Sequence, residues 1–170
     1  MPARKIIIHP DPILRRKARK VTDFGPELQK LIDDMVETMR EAPGVGLAAP
    51  QVDVPLRLIV VEYDEDEEDE TPPKLYVLIN PEIMRLSDEI DVGTEGCLSI
   101  PGFVGDVERP VGAVIKGLNR HGKLVRIKSE GWLARIFQHE IDHLEGVLFI
   151  DRAEKVWRLE EGALPAVAAD

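Results

Sequence analysis

The sequence predicts an α+β fold with little parallel sheet. Three observations carry that expectation. Short β-prone runs crowd the middle of the chain, between residues 56 and 127. One amphipathic helical pattern stands before them, and a second stands after them. No helix-length pattern separates the runs, as alternating strand–helix units of a parallel sheet would require.

The elements follow in order. Arg15 to Lys20 (RRKARK) is a basic run, read as solvated charge. Pro26 suits a first helical turn. Leu28, Leu31, Ile32, Met35, Val36 and Met39 then recur at helix spacing, one apolar stripe for a core. The helix should stop near Pro43, because the residue before a proline is pushed out of the α region. Gly44 to Gln51 reads as a loop. Leu56–Val61 and Leu75–Ile79 read as strands of a hairpin whose long tip is acidic. Further short strands are expected at Ile83–Leu86, Gly112–Leu118 and Leu124–Ile127, with Asn119 to Gly122 as a turn. Ser129 is the expected cap of a second long helix, with Glu130 in its first turn and Gly146 at its stop. A last helical stretch is expected over Arg152–Glu161, then a flexible tail over 162–170.

The totals bound the function. A chain of 170 residues suits one domain over 1–170 and can bury roughly 70% of its unfolded surface without staples. Its single cysteine, Cys97, excludes an internal disulfide and suits a reducing compartment. Residues 1–10 lack a signal-peptide pattern, and no run reaches the ~18 apolar residues of a membrane span. A cytoplasmic protein with no membrane partner is expected. The net charge is −10, but Asp64 to Glu70 are seven consecutive acids, and without them 25 acids face 22 bases. The acidity is therefore local, in a loop over 64–73. It argues against a nucleic-acid grip over the whole surface and against a DNA partner.

The second helix carries chemistry. At ~100° per residue, His143 falls about 40° and Glu140 about 100° from His139. Two imidazoles one turn apart can share a metal, with a carboxylate beside them. Leu133, Phe137 and Leu144 form the apolar stripe, and Glu140 falls among them. A carboxylate there is costly unless paired or used, and burial raises its pKa toward that of a general base.

A catalytic site of this kind needs a third protein ligand. A metzincin would place a histidine six residues beyond His143, but position 149 is Phe. Glu160 and Glu161 could serve a thermolysin-like site, although they lie in a charged segment. Cys97, in Glu95-Gly96-Cys97-Leu98-Ser99, is the better candidate, since a thiolate with two imidazoles suits Zn²⁺ or Fe²⁺. Spacing alone does not separate that role from a small buried apolar one.

Three segments together resemble the motifs of the peptide deformylase family, in the same order. They are Gly44-Val45-Gly46-Leu47-Ala48-Ala49-Pro50-Gln51, Glu95-Gly96-Cys97-Leu98-Ser99 and Gln138-His139-Glu140-Ile141-Asp142-His143-Leu144. The similarity spans about residues 1 to 155. The first segment also fits G-x-G-x-x-A, but it follows a helix and runs into Pro50, the wrong setting for a dinucleotide loop.

The resemblance implies antiparallel sheets packed around the motif helix, with a helix toward each end. It implies removal of the N-formyl group from the formyl-methionine of nascent polypeptides. Cys97, His139 and His143 become metal ligands and Glu140 the acid/base, with Gln51 and the Leu98 N–H facing the formyl oxygen. Gly44, Val45 and Gly46, with Trp132 and Ile136, become substrate-binding candidates. The metal expected is Fe²⁺, although Zn²⁺, Ni²⁺ or Co²⁺ suits the same donors. A transient ribosome contact is a further partner expectation. The segment 151–170 has three bases and five acids, which speaks against a basic C-terminal docking helix.

Overall fold

The computed structural model describes residues 3–64 and 72–159. Most of the acidic loop and the tail over 162–170 lie outside those residues. So does the end of the expected last helix. Two antiparallel sheets and two long helices make the frame. The larger sheet runs β1 (Gly46–Ala48), β2 (Leu58–Tyr63), β3 (Lys74–Leu86), β6 (Gly112–Leu118) and β7 (Leu124–Glu130), in that spatial order. The smaller sheet runs β4 (Ile90–Cys97), β5 (Ile100–Pro110) and β8 (Lys155–Arg158). All named strand pairs are antiparallel.

The larger sheet is covered on both faces. Helix α1 (Pro26–Glu41) lays Leu28, Leu31, Ile32, Met35 and Met39 against Leu47, Leu58, Val60 and Ile79. Helix α2 (Gly131–Leu144) lays Leu133, Ile136, Phe137 and Ile141 against Ala48, Ile59, Val61 and Leu78. Alternate residues of β2 therefore serve opposite cores, which is why Leu58–Val61 is an unbroken apolar run. A third cluster joins Ile13, Leu14, Cys97, Val107 and Phe149 under the smaller sheet.

Several elements differ from the sequence expectation. The segment read as a loop contains β1 and a 3-10 turn, Ala49–Val52. The runs Leu75–Ile79 and Ile83–Leu86 are one strand, β3, bent where its register shifts. Asn80 sits there at φ 52°, and its side chain exchanges two hydrogen bonds with the Val21 backbone. Ser129 does not cap α2: β7 runs through Glu130, and the Ser129 hydroxyl donates to the Ala113 carbonyl. The chain enters the helix at Gly131, φ +62°. The stretch read as a helix from Arg152 is instead one helical turn, α3 (Phe149–Arg152), followed by β8. The stop at Gly146 is as expected, with φ +76°.

Candidate active site

Helix α2 points His139, Glu140 and His143 inward, and all three are buried. Cys97 ends β4 and is buried opposite them. One donor atom from each of Cys97, His139 and His143 falls within 4.8 Å of the others. The Cys97 Sγ lies 3.5 Å from His143 Nε2, and the imidazole centroids are 5.1 Å apart. Soft sulfur and two imidazole nitrogens around one point fit a Zn²⁺- or Fe²⁺-type ion. His143 is held well below its usual pKa by burial, by His139 and by Arg109, which keeps it a neutral donor.

Glu95 is two residues before Cys97 on β4, so both side chains leave the same face. Its Oε1 lies 2.9 Å from His139 Nδ1. A carboxylate there favours the tautomer protonated at Nδ1 and leaves Nε2 for a metal. Burial alone would raise the Glu95 pKa, but hydrogen bonds and charge from His139 and Arg109 hold it well below the carboxylate range. Arg109 donates to both Glu95 oxygens at 2.6 and 2.9 Å, and Arg135 adds a third bond at 2.7 Å. Arg109 also reaches Asp142 at 3.0 Å, and Asp142 takes two bonds from Arg152. The sequence reading gave Glu95, Arg109, Arg135 and Asp142 no role. Glu95 was findable from its i−2 spacing to Cys97; Arg109, on another strand, left no local signal.

The 3-10 turn Ala49–Val52 fixes Gln51. Its Oε1 accepts from the Ala48 N–H at 2.9 Å, which turns Nε2 toward Ser99 Oγ at 3.1 Å and Cys97 Sγ at 3.6 Å. Leu98 is half-buried in the tight turn joining β4 to β5. Gly46 lets β1 press on the helix: a Cβ there would stand 2.6 Å from Glu140 Oε2. Gly44 instead closes α1, its N–H donating to the Met39 carbonyl at 2.7 Å. Val45 and Ile136 share the α2 core cluster. Trp132 is half-buried one turn earlier, with the Arg135 guanidinium 5.2 Å from its ring.

The arrangement thus combines three soft donors, an adjacent buried carboxylate and an amide N–H₂ on one small volume. That set can hold an ion, move a proton and stabilise a developing oxyanion.

The family model described as polypeptide deformylase matches residues 3–158. A peptide deformylase of Natranaerobius thermophilus is 51% identical over 161 residues, covering 95% of this chain and 99% of its own. The crystal structure of peptide deformylase from Thermotoga maritima superposes with a TM-score of 0.83 at 41% identity, covering 91% of this chain and 100% of that one. A Met-Ala-Ser-bound class I type b peptide deformylase from Acinetobacter baumannii gives 0.81 at 38% identity, covering 88% and 98%.

Proposed function

The chain belongs to the peptide deformylase family, and from that premise we propose how its residues act. It is a hydrolase that removes the formyl group from nascent polypeptides. What is proposed is the assignment of roles, the metal and the cellular setting.

Cys97, His139 and His143 hold the ion, and Fe²⁺ is the reading for it, with Zn²⁺, Ni²⁺ or Co²⁺ accepted by the same donors. When bound, the ion supplies a Lewis acid that acidifies water and polarises a carbonyl. Glu140 takes a proton from the attacking water, whose oxygen bonds to the formyl carbon. Negative charge gathers on the formyl oxygen, where Gln51 Nε2–H and the Leu98 N–H donate to it. Donors of this kind are commonly worth ~3 kcal/mol each. Glu140 then passes its proton to the amine nitrogen, the C–N bond breaks, and formate leaves.

The substrate backbone lies extended between β1 and β4. Each is the terminal strand of its sheet; β4 ends at Cys97, and β1 ends at Ala48, whose N–H holds Gln51. Gly46 keeps that approach narrow, Gly44 sets its entry from the end of α1, and Val45, Trp132 and Ile136 receive the methionine side chain. That pocket should tolerate similar unbranched chains, because one methylene changes binding by only ~1–3 kcal/mol. The chain acts as one catalytic domain in the cytoplasm, in transient contact with the ribosome and without DNA or a membrane. Among the described residues no helix is long and apolar enough to cross a membrane.

The observation that carries this reading is the convergence of Cys97, His139 and His143 within 4.8 Å, with Gln51 Nε2 3.6 Å from the sulfur and Glu140 buried next to His139 on α2. The test uses the anaerobically purified, metal-loaded protein with formyl-Met-Ala-Ser and with a longer unformylated peptide. Formate release from the first alone is expected. Internal cleavage of the second would make it a peptidase, and turnover of neither would leave a structural metal site.

A further inference from the structure

We propose that the segment Arg15 to Lys20 and the two grooves beside it form a docking surface for the phosphate backbone of RNA. The proposal rests on the nascent-chain reading, because such chains are presented beside RNA-rich particles. It does not rest on the donor cluster.

The segment carries five bases around Ala18, and all five are exposed while Ala18 is buried. It is not a loose tail. The Ala18 N–H donates to the Leu144 carbonyl at 2.8 Å, the Arg19 N–H to Pro55 at 2.9 Å, and the Arg57 N–H to the Arg19 carbonyl at 2.8 Å. The bases are therefore displayed on fixed backbone, with less chain entropy to lose on docking. Arg15 pairs with Asp151. Among the described residues Arg16, Lys17, Arg19 and Lys20 make no ion pair.

Two grooves meet at Lys20. One runs along α1 and also takes in Arg4, Arg19 and Lys30. The other crosses the larger sheet and takes in Arg57 and Lys116. The acids lining the pair are Asp23, Glu27 and Glu82. Six bases thus face three acids, in a chain of 22 bases and 32 acids. Some of this charge is already used, since Arg4 and Lys30 pair with Asp34, and Arg57 with Glu145. Arg19, Lys20 and Lys116 are left facing outward, continuous with Arg16 and Lys17.

Charge spaced along grooves suits a backbone that repeats its own charge. It suits a bilayer poorly, because Leu124 is the exposed large apolar side chain among the described groove residues. The face adjoins the C-terminal end of α2, where the Ala18 N–H meets the Leu144 carbonyl.

Bases beside the end of α2 also complement its dipole, a role that would affect stability alone. The test separates the two. Binding of the full-length protein to a labelled single-stranded RNA is followed by anisotropy at about 50 and 200 mM salt. The R16Q/K17Q/R19Q/K20Q protein should bind at least about tenfold more weakly at the lower salt, with a log K against log salt slope shallower by roughly 0.7 per lost contact. A K155Q/R158Q control should bind as the parent does, and both should release formate from free formyl-Met-Ala-Ser at the parental rate. No RNA binding by the parent, an equal loss in the control, or tighter binding to phosphatidylglycerol vesicles than to RNA would each overturn the proposal. Failure of the parent to turn over the tripeptide strikes the deformylase assignment instead, and leaves the RNA measurement readable.

Discussion

Gly46 and Glu140 are in such close approach that a Cβ on Gly46 would lie 2.6 Å from Oε2 and 3.0 Å from Cγ of Glu140. Backbone of β1 thus forms one wall around the carboxylate. Gly46→Ala must displace Glu140 without touching Cys97, His139 or His143. We expect metal content to be retained and kcat to fall on the order of 10²-fold, the cost of a misplacement near 1 Å. Glu140→Ala should also retain metal and lose most activity, setting the floor for comparison. Parental kcat in Gly46→Ala, measured by formate release with metal assayed in parallel, would show that Glu140 has slack the geometry denies it.

Gln51 is aimed by a bond it accepts, from the Ala48 N–H to Oε1, and that leaves Nε2 pointing to the donor cluster. Gln51→Ala should lower kcat by about 10²–10³-fold, the usual loss for one oxyanion donor. KM for formyl-Met-Ala-Ser should move little, because the donor acts on charge that develops only in the reaction. A raised KM with unchanged kcat would reassign Gln51 to ground-state binding.

Glu95 is clamped between His139 and two buried guanidiniums. Glu95→Gln leaves Arg109 and Arg135 facing a neutral amide and frees the His139 ring. Removing one partner from a buried ion pair typically costs 3–5 kcal/mol, and losing a carboxylate behind a ligating histidine costs about 10–100-fold in metal affinity. Denaturant unfolding and metal competition titration should register both losses. Destabilisation with unchanged metal affinity would limit Glu95 to a structural role.

How far the sequence reached depended on where the signal was local. His139, Glu140 and His143 follow from helical periodicity, and the burial of Glu140 was visible from its place in the apolar stripe. The hidden elements are those stabilised across the chain. Strand β4 reads as IDVGTEGC, with two glycines and two acids, so no sustained apolar alternation marks it. Its last three residues are buried, which Glu95 tolerates because Arg109 and Arg135, on other elements, satisfy it. Lys155–Arg158 carries charged residues typical of a helix, but its backbone completes the β5 edge. Ser129 has the right side chain for a cap, yet β7 continues past it and uses that hydroxyl elsewhere.

Asp34 ties the start of the chain to α1. It accepts from Arg4 Nε at 3.0 Å and Lys30 Nζ at 2.9 Å, while the Arg4 N–H donates to Thr38 Oγ1 at 2.8 Å. Burial pushes its pKa up, but the bonds and charge of Lys30 and Arg4 outweigh that and hold it below 3.8. As pH falls, the unfolded chain takes up this proton first. The stabilisation is therefore whole above about pH 4 and is lost as pH drops through the lower folded value. The unfolding free energy of the parent minus that of Asp34→Asn should be constant from neutral pH down to that point and shrink below it. A difference that instead shrank toward alkaline pH would reverse the sign of the argument.

Gly93 and Arg135 should prove energetically coupled. A Cβ on Gly93 would stand 2.8 Å from Arg135 Nε and Cζ and 3.0 Å from the Trp132 ring. The guanidinium cannot retreat freely, because it bonds Glu95 Oε2 at 2.7 Å and the carbonyls of Val107 and Asp91 at 2.9 Å each. Gly93→Ala in the parent should therefore cost about 1–3 kcal/mol, as overpacking does. Arg135→Ala should cost more, since it strips Glu95 and two carbonyls of a donor. Once Arg135 is gone, however, the new methyl group has room, so Gly93→Ala in that background should cost little. The double variant should then be more stable than the sum of the single losses predicts, by an amount within the 0.5–3 kcal/mol typical of contacting pairs. Denaturant unfolding of all four proteins measures this directly. Strict additivity would mean that the space beside Gly93 is not set by the arginine.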